Sequence, residues 1–156
     1  MNWDEYFFSI ANVVAQRSKD PSTKVGAVLV SSDNSVLGVG YNGFPRGVSD
    51  YYLKPDKING KYDRYNRNVK LLFTEHAERN CIYNAARNGI KLEGCKIYLS
   101  TKGYPCADCA RAIIQCGIIE VITHKGEFQG KSDWKESCNI SKEMLKEAGV
   151  KVIFIE

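Results

Sequence analysis

The chain contains no long apolar run: nothing in it reaches the roughly 20 consecutive apolar residues that a membrane-spanning helix needs. A leader pattern is missing too. Met1-Asn2-Trp3-Asp4-Glu5 is acidic where a signal peptide is basic, and no apolar stretch follows it. A cytoplasmic protein is therefore expected, which argues against disulfides among its six cysteines. Internal repeats and low-complexity tracts are also absent. Neither charge dominates: 22 Lys and Arg against 18 Asp and Glu leave +4, too mild to single out a polyanionic partner. Histidine is scarce, with His76 and His124 the only two.

What is present is ordinary for a globular protein. A chain of 156 residues, 44 % apolar and 26 % charged, can bury one real core and is too short for two ordinary domains. Residues 1–156 are expected to form a single domain. Phe7, Ile10, Ala11 and Val14 fall at helical spacing within residues 3–18, and Asp20-Pro21 stops that helix. Val25–Val30 and Val36–Tyr41 are β-rich runs, and Ser32-Asp33-Asn34 between them predicts a hairpin. Residues 42–73 read as irregular. Thr74 is expected to cap a helix that runs through Ala86 and stops near Gly89. Cys95–Ser100 reads as a strand, and Pro105 is placed at the first position of a helix over Cys106–Cys116. Ile118–Thr123 (strand), Ser141–Ala148 (helix) and Val150–Ile155 (strand) complete the pattern. Alternating elements after a hairpin predict an α/β fold, with a mixed sheet of about five strands covered by helices on both faces.

The chemistry is carried by a split motif, His76-Ala77-Glu78 and Pro105-Cys106-Ala107-Asp108-Cys109. His-x-Glu alone is a weak signal and Pro-Cys-x-x-Cys a moderate one. In this order and about 30 residues apart they match the zinc nucleobase-deaminase pattern. His76, Cys106 and Cys109 would hold one Zn²⁺ per chain and leave its fourth position to water. Cys106 and Cys109 are three apart and share a helix face, and a helix N-terminus favours their thiolate form. Glu78, two residues beyond His76, points elsewhere and stays free as a proton carrier. It would take a proton from water as the amidine carbon of a ring is attacked, then return protons to the ring nitrogen and the departing ammonia. A closed four-ligand zinc site, completed by another cysteine or by His124, would leave Glu78 without a task. Cys81, Cys95, Cys116 and Cys138 read as reduced core thiols.

Three further stretches accompany the motif: Ser18-Lys19-Asp20-Pro21-Ser22-Thr23-Lys24-Val25-Gly26-Ala27, Gly40-Tyr41-Asn42-Gly43-Phe44-Pro45-Arg46-Gly47, and Arg79-Asn80 directly after Glu78. On these residues the chain resembles the zinc-dependent cytidine/deoxycytidylate deaminases over nearly its whole length. The Gly40–Gly47 segment points to the deoxycytidylate (dCMP) branch. The resemblance implies a cytidine-deaminase-like three-layer α/β/α fold and hydrolysis of dCMP to dUMP and ammonia, which supplies the precursor for thymidylate. It implies His76, Cys106 and Cys109 as zinc ligands and Glu78 as proton shuttle. It also implies an Ala77 N–H that holds the base carbonyl and an Asn42 that contacts a sugar hydroxyl. A homo-oligomer is implied, with a hexamer favoured, activated by dCTP and inhibited by dTTP, Mg²⁺ accompanying the triphosphate.

The regulatory nucleotide is assigned to Gly43, Phe44, Arg46 and Gly47. The glycines allow close backbone approach and Arg46 offers a fork suited to phosphate. A hairpin-exit turn with a solvated arginine is the plainer reading of the same residues. Lys24, with Ser22 and Thr23, is the candidate for the substrate 5′-phosphate, against a lysine that is simply solvated. The Tyr104 carbonyl is assigned to the substrate amino group, and His124 reads as a surface or interface residue.

Residues 51–73, within an insertion at about 44–73, carry six cations against two carboxylates, a surplus equal to the formal charge of the whole chain. Tyr51, Tyr52, Tyr62 and Tyr65 are interleaved. A lid or subunit interface is favoured there, with a solvated loop or a polynucleotide-binding patch as alternatives. The stretch contains no Cys or His, so no second zinc is expected. A deaminase of another free base, nucleoside or nucleotide, or one that edits single strands, remains the competing function; nucleic acid is otherwise not expected as a partner.

Overall fold

The computed structural model describes residues 1–50, 64, 66–126 and 132–156. Helix α1 (Trp3–Gln16) begins in a capping box: the Asn2 side chain accepts from the Glu5 N–H at 2.9 Å, and the Glu5 carboxylate accepts from the Asn2 N–H at 2.9 Å. Strands β1 (Gly26–Val30) and β2 (Val36–Tyr41) form the expected antiparallel hairpin. Asn34 sits at φ 65° in its turn, a conformation asparagine tolerates better than most residues.

The sheet has five strands in the order β2-β1-β3-β4-β5, with β3 at Lys96–Lys102, β4 at Glu120–His124 and β5 at Lys151–Ile155. β1 runs antiparallel to both β2 and β3, and β3, β4 and β5 are parallel. The sheet is therefore mixed, as the sequence predicts. Strand β1 is an interior strand, between β2 and β3, and is buried at all five positions, consistent with its continuous apolar run.

Alternate residues supply two cores. Ala27, Leu29, Ile97, Leu99 and Val121 face helices α3 (Ala77–Arg87), α4 (Ala107–Gln115) and α5 (Ser132–Glu147), meeting Cys81, Ala85, Ile113 and Leu145. Val28, Val30, Tyr98 and Ile122 face Phe7, Phe8 and Ala11 of α1. Two glycines set how close the helices come. A Cβ on Gly26 would lie 2.0 Å from the Ala11 carbonyl oxygen, and one on Gly40 would lie 2.3 Å from the Cys81 nitrogen. The backbones of α1 and α3 thus rest directly on β1 and β2.

Several local expectations change. Residues 67–73 form a short helix, α2 (Arg67–Phe73), within the stretch read as irregular. Thr74 closes α2 instead of opening α3: its hydroxyl donates to the Lys70 carbonyl at 2.9 Å. His76 is the N-cap of α3 and Cys106 the N-cap of α4, so Pro105 precedes the helix and does not occupy its first position. α5 begins at Ser132, earlier than the predicted Ser141. Most of the basic, tyrosine-rich stretch at 51–73 lies outside the described residues. His124 is half-buried, its ring 4.4 Å from that of Phe8. All six cysteines are free thiols. Among the described residues no helix is long and apolar enough to cross a membrane.

Candidate metal centre and substrate cleft

Because β1 opposes β2 and β3, the start of β1 and the ends of β2 and β3 come to one edge of the sheet. The N-termini of α3 and α4 point to the same edge, and the site is built there. His76 (φ −75°, ψ 155°) and Cys106 (φ −70°, ψ 165°) are both N-caps in extended conformation, and neither side chain caps its own helix. They turn toward each other instead. His76 Nδ1 lies 3.4 Å from Cys106 Sγ and 3.4 Å from Cys109 Sγ. In a tetrahedral zinc site, Zn–N of about 2.0 Å and Zn–S of about 2.3 Å separate nitrogen from sulfur by about 3.5 Å. The three donors are therefore already spaced as ligands of one zinc ion, and they are the one such cluster among the described residues.

The donors polarise one another. Hydrogen bonding from Cys109, and then His76 and its charge, outweigh burial and pull the Cys106 thiol down to about 4. Cys109, beside the Cys106 thiolate and buried, is pushed up. Burial alone would lower His76, but its hydrogen bond to Cys106 and the charges of Glu78 and Cys106 raise it to about 9. A thiolate beside a cationic imidazole is an arrangement that a divalent cation with N and S preferences displaces readily. Glu78 is 7 % exposed, and desolvation raises its carboxyl above the usual 4.5.

The donors adjoin a cleft of about 360 Å³. Of the sequence-predicted residues, Ser22, Thr23, Asn42, His76, Ala77, Glu78 and Tyr104 line it. Lys24 is exposed and lies outside that lining. Asn42 is buried, accepting from the Val25 N–H and donating to the Thr23 carbonyl, both at 2.8 Å. Its amide thus fixes the turn into β1, and its remaining N–H and lone pair are what a ligand would meet. The Tyr104 carbonyl accepts from the Cys138 thiol at 3.4 Å, leaving one lone pair.

Gly43, Phe44, Arg46 and Gly47 run beside the cleft rather than in its wall. Gly43 bridges Glu75, with N–H···O contacts of 3.0 and 2.8 Å, immediately before His76. The Phe44 ring lies 5.5 Å from that of Phe73, and Arg46 donates to Asn84 Oδ1 at 2.8 Å.

Residues with no assigned task in the sequence also reach the cleft: Asp20, Arg67, Lys70, Lys102 and Trp134. Asp20 accepts from the N–H groups of Ser22 (2.8 Å) and Thr23 (3.1 Å) and pairs with Lys70 at 3.0 Å. Asp-Pro-Ser-Thr carries the pattern of such an Asx turn, which sequence could have flagged. Arg67, Lys102 and Trp134 come from three separate elements and share no spacing. The Trp134 ring lies 5.4 Å from the His76 ring and forms part of the cleft wall.

Comparison with known proteins agrees with this geometry. The family model of the cytidine and deoxycytidylate deaminase zinc-binding region matches residues 1–125. An uncharacterised deaminase of Aliivibrio fischeri is 40 % identical over 153 residues, 98 % of this chain and 93 % of the relative. The deoxycytidylate deaminase of Homo sapiens is 42 % identical over 138 residues, 85 % of this chain and 70 % of the relative. A dCMP deaminase of the cyanophage S-TIM5, solved in complex with dCMP and dUMP, superimposes with a TM-score of 0.70 at 26 % identity, covering 97 % of this chain and 95 % of that one.

Proposed function

The chain belongs to the cytidine and deoxycytidylate deaminase family and is a hydrolytic deaminase, and from that premise we propose that its substrate is dCMP, converted to dUMP and ammonia. What supports this is the convergence of His76, Cys106 and Cys109 on a common point, with the buried Glu78 beside them at a cleft of nucleotide size.

Zinc held by His76, Cys106 and Cys109 would supply Lewis-acid chemistry, lowering the pKa of water toward about 7. Glu78 accepts a proton from the water that adds to the amidine carbon, donates to the ring nitrogen, and passes a proton to the departing ammonia. Its burial suits both halves of that task, because a raised carboxyl pKa brings donor and acceptor forms closer in energy near neutrality. The Ala77 N–H, a first-turn donor without an intrahelical partner, holds the base carbonyl. The free lone pair of the Tyr104 carbonyl takes the amino group, and Asn42 takes a sugar hydroxyl.

Regulation by dCTP with Mg²⁺ (activation) and by dTTP (inhibition) is assigned to the Gly43–Gly47 loop of a homo-oligomer, a hexamer by family resemblance. The Gly43–Glu75 bridge gives that loop a direct mechanical path to His76. Turnover of dCMP by the zinc-loaded protein, compared with deoxycytidine and CMP and with and without dCTP and Mg²⁺, tests both parts. Preferred turnover of dCMP, enhanced by dCTP, is expected. Turnover without a dCTP response removes the regulatory assignment, and preference for deoxycytidine removes the nucleotide.

A further inference from the structure

Strand β3 contains a two-residue bulge at the edge of the cleft. Its pairing with β4 runs from Tyr98 opposite Ile122 to Lys102 opposite His124, so β3 spends four steps where β4 spends two. Side chains hold the extra residues in place. The Gly26 N–H donates to Ser100 Oγ at 2.8 Å, and Thr123 Oγ1 donates to the Thr101 carbonyl at 2.7 Å. The Gly103 N–H returns to the His124 carbonyl at 3.1 Å. The bulge places Thr101 and Lys102 in the cleft lining. Gly126 backs the lysine stem: a Cβ there would lie 3.1 Å from Lys102 Cδ, at a φ of 126° that other residues rarely adopt.

Among the described residues, charge in the cleft is unbalanced. Asp20 and Lys70 neutralise each other in a buried pair, and Glu78 and His76 belong to the metal centre. Lys102 and Arg67 remain, both exposed, and neither has a carboxylate partner among the described residues. Two uncompensated cations match a phosphate monoester, which carries about −1.5 to −2 at neutral pH.

We infer that Lys102, delivered by the β3 bulge, and Arg67 of α2 form the subsite for the 5′-phosphate, and so determine specificity for a nucleoside monophosphate over a nucleoside. This replaces Lys24, which stands outside the cleft, and rests on dCMP being the substrate. Ser22 and Thr23, in the same lining, present hydroxyls to the same anion.

The test is equilibrium binding of dUMP and deoxyuridine to the zinc-loaded protein, beside steady-state kinetics on dCMP and deoxycytidine. Lys102→Met keeps the stem and removes the charge. It is expected to weaken dUMP and raise the dCMP KM about tenfold or more, with kcat and both nucleoside constants within about twofold. Arg67→Met should behave alike, and Lys102→Arg should recover most of the loss. Unchanged dUMP affinity in Lys102→Met, or equal losses for dUMP and deoxyuridine, overturns the inference. A loss that falls on Lys24→Met instead overturns it while leaving the proposed function intact. Wild-type protein that binds dUMP no tighter than deoxyuridine sinks the nucleotide reading along with it.

Discussion

Glu78 shows how little sequence distance separates a candidate metal ligand from a candidate proton carrier. Two residues past His76 on α3, it is buried beside the metal donors without being one of them. A carboxylate kept from water is a stronger base than usual, and its raised pKa records that cost. Glu78→Gln preserves shape and removes the titratable oxygen. Its kcat is expected to fall by about 10²–10⁴-fold with zinc content unchanged, as metal analysis of the variant would show. Loss of zinc in that variant would mean Glu78 is a ligand after all. That His76, Cys106 and Cys109 belong to one candidate centre was legible in the sequence because their spacing is local within each half. What could not be read was that His76 and Cys106 are both N-caps, since Thr74 and Pro105 offered stronger capping signals nearby.

Among the elements, α3 couples most parts of the site. It lies on β2 through the gap at Gly40, and its Asn80 and Asn84 amides donate to the Tyr41 and Val39 carbonyls, each at 2.8 Å. Those bonds also occupy the open edge of β2, one of the two edge strands. Gly40→Ala puts a methyl group 2.3 Å from the Cys81 nitrogen and 2.5 Å from the Ala77 oxygen, so the first turn of α3 has to move. A loss of about 1–3 kcal/mol is expected in denaturant titration, together with weaker zinc retention against a chelator. Zinc retention equal to wild type would show that β2 does not position His76. Helix α2 escaped notice because seven residues are too few to show a period, and Arg-Asn-Val-Lys-Leu-Leu-Phe follows a polar run. The cations of the cleft were equally silent, since Arg67 and Lys102 come to one lining only once the chain has folded.

For the molecule as a whole, the Asp20–Lys70 pair joins the turn before β1 to α2, across 50 residues of chain. Burial would raise the Asp20 carboxyl, but the Ser22 N–H, the Lys70 ammonium and the Thr23 N–H outweigh it and hold it below 3.8. A depressed carboxyl contributes stability that is complete above its unfolded value and is lost as pH falls through the folded one. Asp20→Asn is therefore expected to cost about 3 kcal/mol at pH 7, by urea unfolding, with the gap from wild type closing below about pH 4. A gap independent of pH would assign the loss to the turn alone. The overall layering was readable from alternating strand and helix patterns, whereas the meeting of three strand ends at one edge needed the sheet order. The β3 bulge has a consequence for how such a site tolerates insertion and deletion. Side chains alternate across a strand, so an extra pair of residues restores the original facing of everything beyond it, and Lys102 and His124 still stand opposite each other as Tyr98 and Ile122 do. A single extra residue in an unbroken pleat would invert that facing. An even insertion at this rim therefore keeps the facing of everything beyond it unaided, whereas an odd one needs a local bulge to absorb it, as Leu37 is absorbed where β2 spends two steps against one of β1.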